Sequence, residues 1–97
     1  MQKKLALLVA GAALLSTNAF AVTHAEAIAA TCMSCHGTDG KSLGATPSLA
    51  GLDKAYMVKA MQEFKAGARP SMVMKKYAAG YTEAEYEAVA DIFSKIK

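Results

Sequence analysis

The stretch ATCMSCHGTDGK, residues 30–41, decides how this sequence is interpreted. It contains both cysteines of the chain, Cys32 and Cys35, and His36 comes directly after the second. Three chemistries use such an arrangement: a redox-active dithiol, a metal site, and covalent attachment of haem. The sequence on either side of the stretch favours one of the three.

The N-terminal segment has the composition of a secretory signal peptide. Lys3 and Lys4 precede an uninterrupted apolar and glycine run over residues 5–15, and the small-x-small sequence AFA lies at residues 19–21. The run is too short for a membrane span, which takes about 20 apolar residues. We therefore expect residues 1–21 to be cleaved and residues 22–97 to form one exported domain in the periplasm, without a membrane span after cleavage.

The expected mature domain is small and almost neutral. Residues 22–97 contain nine Lys and Arg against eight Asp and Glu, and no basic stripe suggests nucleic-acid binding. Small domains leave much of their surface exposed and usually need a disulfide, a metal or another cross-link. A disulfide within Cys-x-x-Cys closes only a tiny loop and stabilises little. The sequence thus predicts a larger stabilising group.

The patterns along the chain are helical, and no run of alternating β-branched and polar residues suggests a strand. We predict a first helix from about residue 24 to Cys32, a glycine-rich loop over residues 37–51, and a second helix from the N-cap Asp53 to Gly67.

A third long helix is predicted near the C-terminus, where Thr82 and Glu85 form a capping box before an apolar stripe. After Arg69 and Pro70, the segment over residues 71–81 has room for one or two helical turns. The predicted fold class is all-α.

The helical context separates the three chemistries. A thioredoxin-type dithiol requires a βαβ setting, which this sequence lacks. A zinc site requires four ligands, but no second Cys-x-x-Cys exists, and the only other histidine is His24, which we expect to be exposed near the mature N-terminus. A structural disulfide would explain neither His36 nor the long loop. Cys-x-x-Cys-His is the attachment sequence of c-type haem, so one covalent haem c is the favoured cofactor.

The spacing of the motif has a mechanical reason. Each of Cys32 and Cys35 would form a thioether bond with one vinyl group of the porphyrin. His36 would then lie under the iron and donate its Nε2. A covalent haem would also supply the large apolar surface around which so small a domain can fold.

With these elements in order, the chain resembles the class I c-type cytochromes, and among them the small bacterial c4 and c553 proteins. The segments PSLAG, residues 47–51, and RPSMVMKKYAAGYTEAEYEAVADIF, residues 69–93, carry the resemblance. It is strongest to the cytochrome subunit of flavocytochrome c sulfide dehydrogenases. Pro70 and Met72 depart from that subgroup, in which a threonine commonly lies two residues before the methionine. The matching positions are Arg69, Val73, Met74, Ala78, Gly80 and Tyr81.

The resemblance implies a small cytochrome c fold, with three main helices and short turns wrapped around one haem. It also implies that the carbonyl of Pro47 accepts a hydrogen bond from the iron-bound His36. Met74 is predicted as the sixth iron ligand, because it lies six residues before Gly80, and Met72 is predicted to pack outside the pocket. Arg69 is expected to hydrogen-bond a haem propionate.

The expected function is single-electron transfer by a periplasmic monohaem cytochrome, a carrier and not itself an enzyme, because histidine and methionine would fill both axial positions. Its partners would be redox proteins. The alternative is the electron-accepting subunit of a sulfide-oxidising complex with an FAD-containing flavoprotein, so that the protein is a monomer or part of a heterodimer. A third class, a five-coordinate haem sensor or peroxidase, would require that no methionine reaches the iron.

Overall fold

Four α-helices make up the domain in a computed structural model that describes residues 22–97. They are α1 (His24–His36), α2 (Lys54–Ala66), α3 (Met72–Ala79) and α4 (Glu83–Ser94), and a short 3₁₀ turn, Thr38–Gly40, comes after α1. No strand occurs in this part of the chain, so the predicted all-α class is confirmed. The expected signal peptide lies outside the described residues and stays a prediction.

Each helix begins at a residue whose side chain accepts a hydrogen bond from the first turn, which supplies one of the unpaired backbone donors there. Asp53 caps α2 through the N–H of Tyr56, and Thr82 caps α4 in a complete capping box with Glu85. Both predicted helix starts are therefore confirmed. Thr23 and Ser71 cap α1 and α3 in the same way.

One element differs from the prediction. The first helix continues past Cys32 to His36, because no residue between them breaks a helix; it ends at Gly37, whose φ of 92° suits glycine. The segment after Pro70 forms α3, eight residues or about two turns, in agreement with the helical turns predicted there, so that the domain has four helices. Site residues thus lie on both α1 and α3.

The core lies where α4 packs against α1 and α2. Phe93 of α4 is fully buried, and the other buried members are Ile28, Ala29, Met57, Val89 and Ala90. The third helix packs mainly against α2 and stands at the side of this core. None of the helices within residues 22–97 is long and apolar enough to cross a membrane.

The loop between α1 and α2 is held against this core by hydrogen bonds. The carbonyl of Gly40 accepts from the N–H groups of Leu49 (2.7 Å) and Ala50 (3.1 Å), and the N–H of Gly51 donates to the carbonyl of Phe93 (2.9 Å). Gly40 has a φ of 72°, and a Cβ added there would lie 2.9 Å from the ring of Phe93. The loop thus returns along α4 and brings residues 45–49 back beside the end of α1.

Candidate haem site

A large cavity of about 790 Å³ opens between the helices and the returning loop. Its volume lies within the range of roughly 300–1,000 Å³ that is usual for small-molecule and cofactor sites. The lining is mostly apolar. Its aromatic members are Tyr56, Phe64, Tyr77, Tyr81, Tyr86 and Phe93.

The Cys-x-x-Cys-His motif borders this cavity from the last turns of α1. Cys32, Cys35 and His36 stand three and four residues apart on one helix, so that their side chains share a face, and all three line the cavity. No disulfide joins the two cysteines. Burial raises the pKa of the Cys32 thiol, whereas Cys35 is exposed. The motif therefore presents two thiols and one imidazole to the same space.

The ring of His36 is fixed by the loop. Its Nδ1 lies 2.6 Å from the carbonyl oxygen of Pro47, and the residue is only 8% exposed. A carbonyl oxygen can only accept a hydrogen bond, so this contact requires the proton on Nδ1. In the neutral ring, Nε2 then carries the lone pair that can bind a metal, the arrangement usual for metal-binding histidines.

The two neighbouring methionines of α3 are placed differently. Met74 lines the cavity, whereas Met72 does not and is 81% exposed. Residues two apart on a helix point about 200° apart, so one of them can face the cavity while the other faces away. The N–H of Met74 donates to the side chain of Ser71 at 3.1 Å, which fixes the helix start beside it. Iron ligation by Met74 stays a prediction.

Arg69 also lines the cavity, in a cluster with α2. Its guanidinium lies over the rings of Tyr56 and Phe64, 5.6 and 5.5 Å from their centroids, and donates to the hydroxyl of Tyr56 and the carboxylate of Glu63, each at 3.4 Å. The hydrogen bond to Tyr56 raises the pKa of Arg69 most, and the hydrogen bond to Glu63 raises it further. Its Nε is buried without a partner among the described residues. That donor suits an acidic group of a bound cofactor.

Two contacts near the cavity have no signal in the sequence. His24 is exposed, as expected, but its Nε2 lies 2.5 Å from a carboxylate oxygen of Glu85, a residue of the cavity wall. Tyr86 belongs to the predicted apolar stripe of α4, yet its hydroxyl donates to the carbonyl of Ala78 in α3. Helical periodicity predicts which side chains are buried but not which polar atom each will meet.

The cavity fits a haem group by its volume, its apolar walls and its donor set. Two thiols, an imidazole nitrogen and the thioethers of Met57, Met61 and Met74 border it, and a buried guanidinium donor is left for an acidic substituent. In the same residues, 22–97, no three His, Cys, Asp or Glu side chains come together as a metal site, so the zinc alternative gains no support.

Comparisons with known proteins agree with this fit. Residues 22–92 match the family model of cytochrome c. The chain is 39% identical over 71 residues to the cytochrome subunit of sulfide dehydrogenase of Chlorobaculum tepidum, covering 73% of this chain and 64% of that protein. It is 38% identical over 68 residues to a thiosulfate dehydrogenase electron acceptor of Stutzerimonas stutzeri, covering 68% of this chain and 32% of that protein.

Among solved structures, a cytochrome c4 of Acidithiobacillus ferrooxidans superposes with a TM-score of 0.64 at 35% identity, covering 67% of this chain and 38% of that one. The chain thus spans less than two thirds of the length of these relatives. The fold and the resemblance to class I c-type cytochromes are confirmed. The chain belongs to the cytochrome c family, whose members bind haem c covalently.

Proposed function

We propose that residues 22–97 carry one haem c, bound through Cys32 and Cys35 with His36 and Met74 as axial ligands, and transfer single electrons between redox proteins. One observation carries the proposal. The two thiols, the oriented imidazole and one thioether of the Met72–Met74 pair line the same apolar cavity.

The bound haem supplies a one-electron couple, and the chain's own residues set the conditions under which it works. The carbonyl of Pro47 holds the proton of His36 on Nδ1 and so keeps Nε2 available. With haem bound, His36 and Met74 would hold the iron, and ligation by histidine and methionine would raise its reduction potential. The iron would then have no open position for a substrate, so that the domain would act as a carrier and not as an enzyme. The apolar walls exclude water, and the Nε of Arg69 provides a donor for a propionate.

The place of action that we propose is the periplasm. The N-terminal sequence supports it through its two lysines, its apolar run over residues 5–15 and the AFA sequence before residue 22. Cleavage after Ala21 would release a domain that begins just before the N-cap of α1, Thr23.

A second candidate function is that of a haem subunit in a sulfide-oxidising complex, in which the domain accepts electrons from an FAD-containing flavoprotein. The name of the Chlorobaculum tepidum relative supports this candidate. Met72, which does not line the cavity, is an apolar side chain exposed at the start of α3 and is open to a partner protein.

The charge distribution also favours a protein partner that binds at α2 and α3. Residues 53–81 contain six basic and two acidic side chains, whereas the rest of residues 22–97 contains three basic and six acidic ones. This uneven distribution would steer an acidic partner toward α2 and α3, and the steering would weaken with salt.

The test of the proposed function is purification of the exported protein, with the visible spectrum recorded in both oxidation states and a redox titration. We expect haem that remains attached to the denatured chain, one reversible one-electron transition, and no binding of carbon monoxide by the reduced form. Carbon monoxide binding at neutral pH would overturn the six-coordinate assignment and favour a sensor or peroxidase. A flavin that co-purifies in equal amount would favour the subunit over the free carrier.

A further inference from the structure

Tyr86 in the first turns of α4 connects that helix to α3. The residue is 3% exposed, and its hydroxyl donates a hydrogen bond to the carbonyl of Ala78, which is fully buried in the last turn of α3. Burial raises the pKa of Tyr86, so the hydroxyl stays protonated and remains a donor above neutral pH. The two helices are thus joined by a polar contact inside an apolar region.

The third helix depends on such contacts. It has eight residues, and isolated helices shorter than about 12–15 residues are marginal in water. Its first turn contributes little burial, because Met72 and Val73 are 81% and 61% exposed. Its packing is mainly against α2, and within residues 22–97 the Tyr86 hydroxyl makes the one side-chain hydrogen bond between α3 and α4.

The hydrogen bond between Tyr86 and Ala78 also lies one helical turn from Met74. Ala78 lies four residues after Met74, so in the α-helix the N–H of Ala78 donates to the carbonyl of Met74. A donor that holds the Ala78 carbonyl therefore holds the turn that begins at Met74. The ring of Tyr86 and the side chain of Met74 line the same cavity.

We propose that Tyr86 is a positioning residue, whose hydroxyl anchors the last turn of α3 and thereby keeps the thioether of Met74 in the cavity. The inference rests on the proposed role of Met74 as an axial ligand. Without the hydroxyl, the buried Ala78 carbonyl keeps only backbone donors just after α3, such as the N–H of Tyr81 at 3.4 Å, and the turn of α3 that carries Met74 is held less tightly.

The test is Tyr86→Phe in the haem-loaded ferric protein, titrated with imidazole, which must displace the methionine to bind. Phenylalanine keeps the ring in the wall and removes only the hydroxyl. We expect the affinity for imidazole to rise roughly 2- to 12-fold, the range for the loss of one hydrogen bond at an acceptor that keeps another donor. The sulfur-to-iron(III) charge-transfer band should also fade at a lower temperature than in the unchanged protein, well before the helices unfold.

Two variants serve as matched controls away from α3. Ser94→Ala removes another hydroxyl of α4 that donates to a helix carbonyl, that of Asp91. Thr23→Ala removes the N-cap of α1 and lowers overall stability by a comparable amount. Both should keep the original imidazole affinity. If Thr23→Ala raises the affinity as much as Tyr86→Phe, or if Tyr86→Phe binds imidazole like the unchanged protein, the positioning role is wrong.

The variant Met74→Ala shows whether a negative result contradicts the proposed axial ligand or only the role of Tyr86. If Met74→Ala retains the charge-transfer band, Met74 is not the ligand, and both the axial assignment and the role of Tyr86 are overturned. If Met74→Ala abolishes the band and Tyr86→Phe has no effect on imidazole binding, the axial assignment holds and only the positioning role fails.

Discussion

The two sides of the cavity are built on different principles. On the motif side, Cys32, Cys35 and His36 occupy one helix, and the returning loop fixes the imidazole through Pro47. On the methionine side, Met74 belongs to a two-turn helix with an exposed start. The motif side is determined by local spacing and by several backbone hydrogen bonds, whereas the methionine side depends on contacts with residues distant in the sequence. We therefore expect substitutions on the two sides to have different effects on haem attachment, iron ligation and stability.

The largest effect is expected from Cys32→Ala combined with Cys35→Ala. The double variant should contain no covalently attached haem and should be largely unfolded, because so small a domain lacks a sufficient core of its own. Haem staining after denaturing electrophoresis and circular dichroism during heating measure both outcomes. Ser34→Ala, an exposed position within the motif, should leave both unchanged. A helical, cooperatively melting apoprotein from the double variant would show that the motif side does not organise the fold.

The next effect concerns the choice between Met74 and Met72. Met74→Ala should abolish the sulfur-to-iron(III) charge-transfer band, open the iron to small ligands and lower the reduction potential, within the range of about 0.8 V over which axial ligands set haem potentials. Met72→Ala, at an 81% exposed position, should leave band and potential in place. Visible spectroscopy and potentiometry on the two variants decide the assignment. The reverse result would mean that α3 has the other face toward the cavity.

A smaller effect is expected in the loop that supports His36. Gly40→Ala places a Cβ 2.9 Å from Phe93 and 3.0 Å from the N–H nitrogen of Ala50, at a φ of 72°. Strain and overpacking of this kind cost about 1–3 kcal/mol in the free energy of unfolding. Gly44→Ala is the matched control, since a Cβ there meets nothing within 4 Å, and it should change the free energy by less than about 0.5 kcal/mol. Equal denaturation midpoints for both variants would mean that the loop is not tightly held.

The smallest effect is a dependence of stability on pH at the junction of α1 and α4. Hydrogen bonds from the backbone of Thr82 and from His24 hold the pKa of Glu85 below its ordinary value of 4.5. A carboxylate whose pKa is lower in the folded state stabilises the fold above the unfolded-state pKa, and this contribution disappears as pH falls through the folded-state pKa. Melting temperatures between pH 7 and pH 3 should therefore fall less in Glu85→Gln than in the unchanged protein. Glu87→Gln, at an exposed position on the same helix, should behave like the unchanged protein.

The features that could be predicted from the sequence are those that depend on residues close together in the chain, and the features that could not are contacts between distant residues. The helix starts at Asp53 and Thr82 and the chemistry of the Cys-x-x-Cys-His motif were predictable, because caps and thioether attachment depend on residues a few positions apart. The predicted end of α1 at Cys32 was wrong, since the helix continues until Gly37 adopts a positive φ. The contact of Tyr86 with Ala78 was not predictable, because it joins helices whose relative placement only the packed core sets.

The extension of α1 through the whole motif has a consequence for the order of folding. All three motif side chains lie within the last turns of one helix, so their mutual arrangement requires no loop closure and forms on the timescale of helix formation, below about a microsecond. Met74 approaches only after the chain has closed a long loop, and such non-local contacts form more slowly. We therefore expect the three motif side chains to be arranged on their helix before Met74 reaches the cavity.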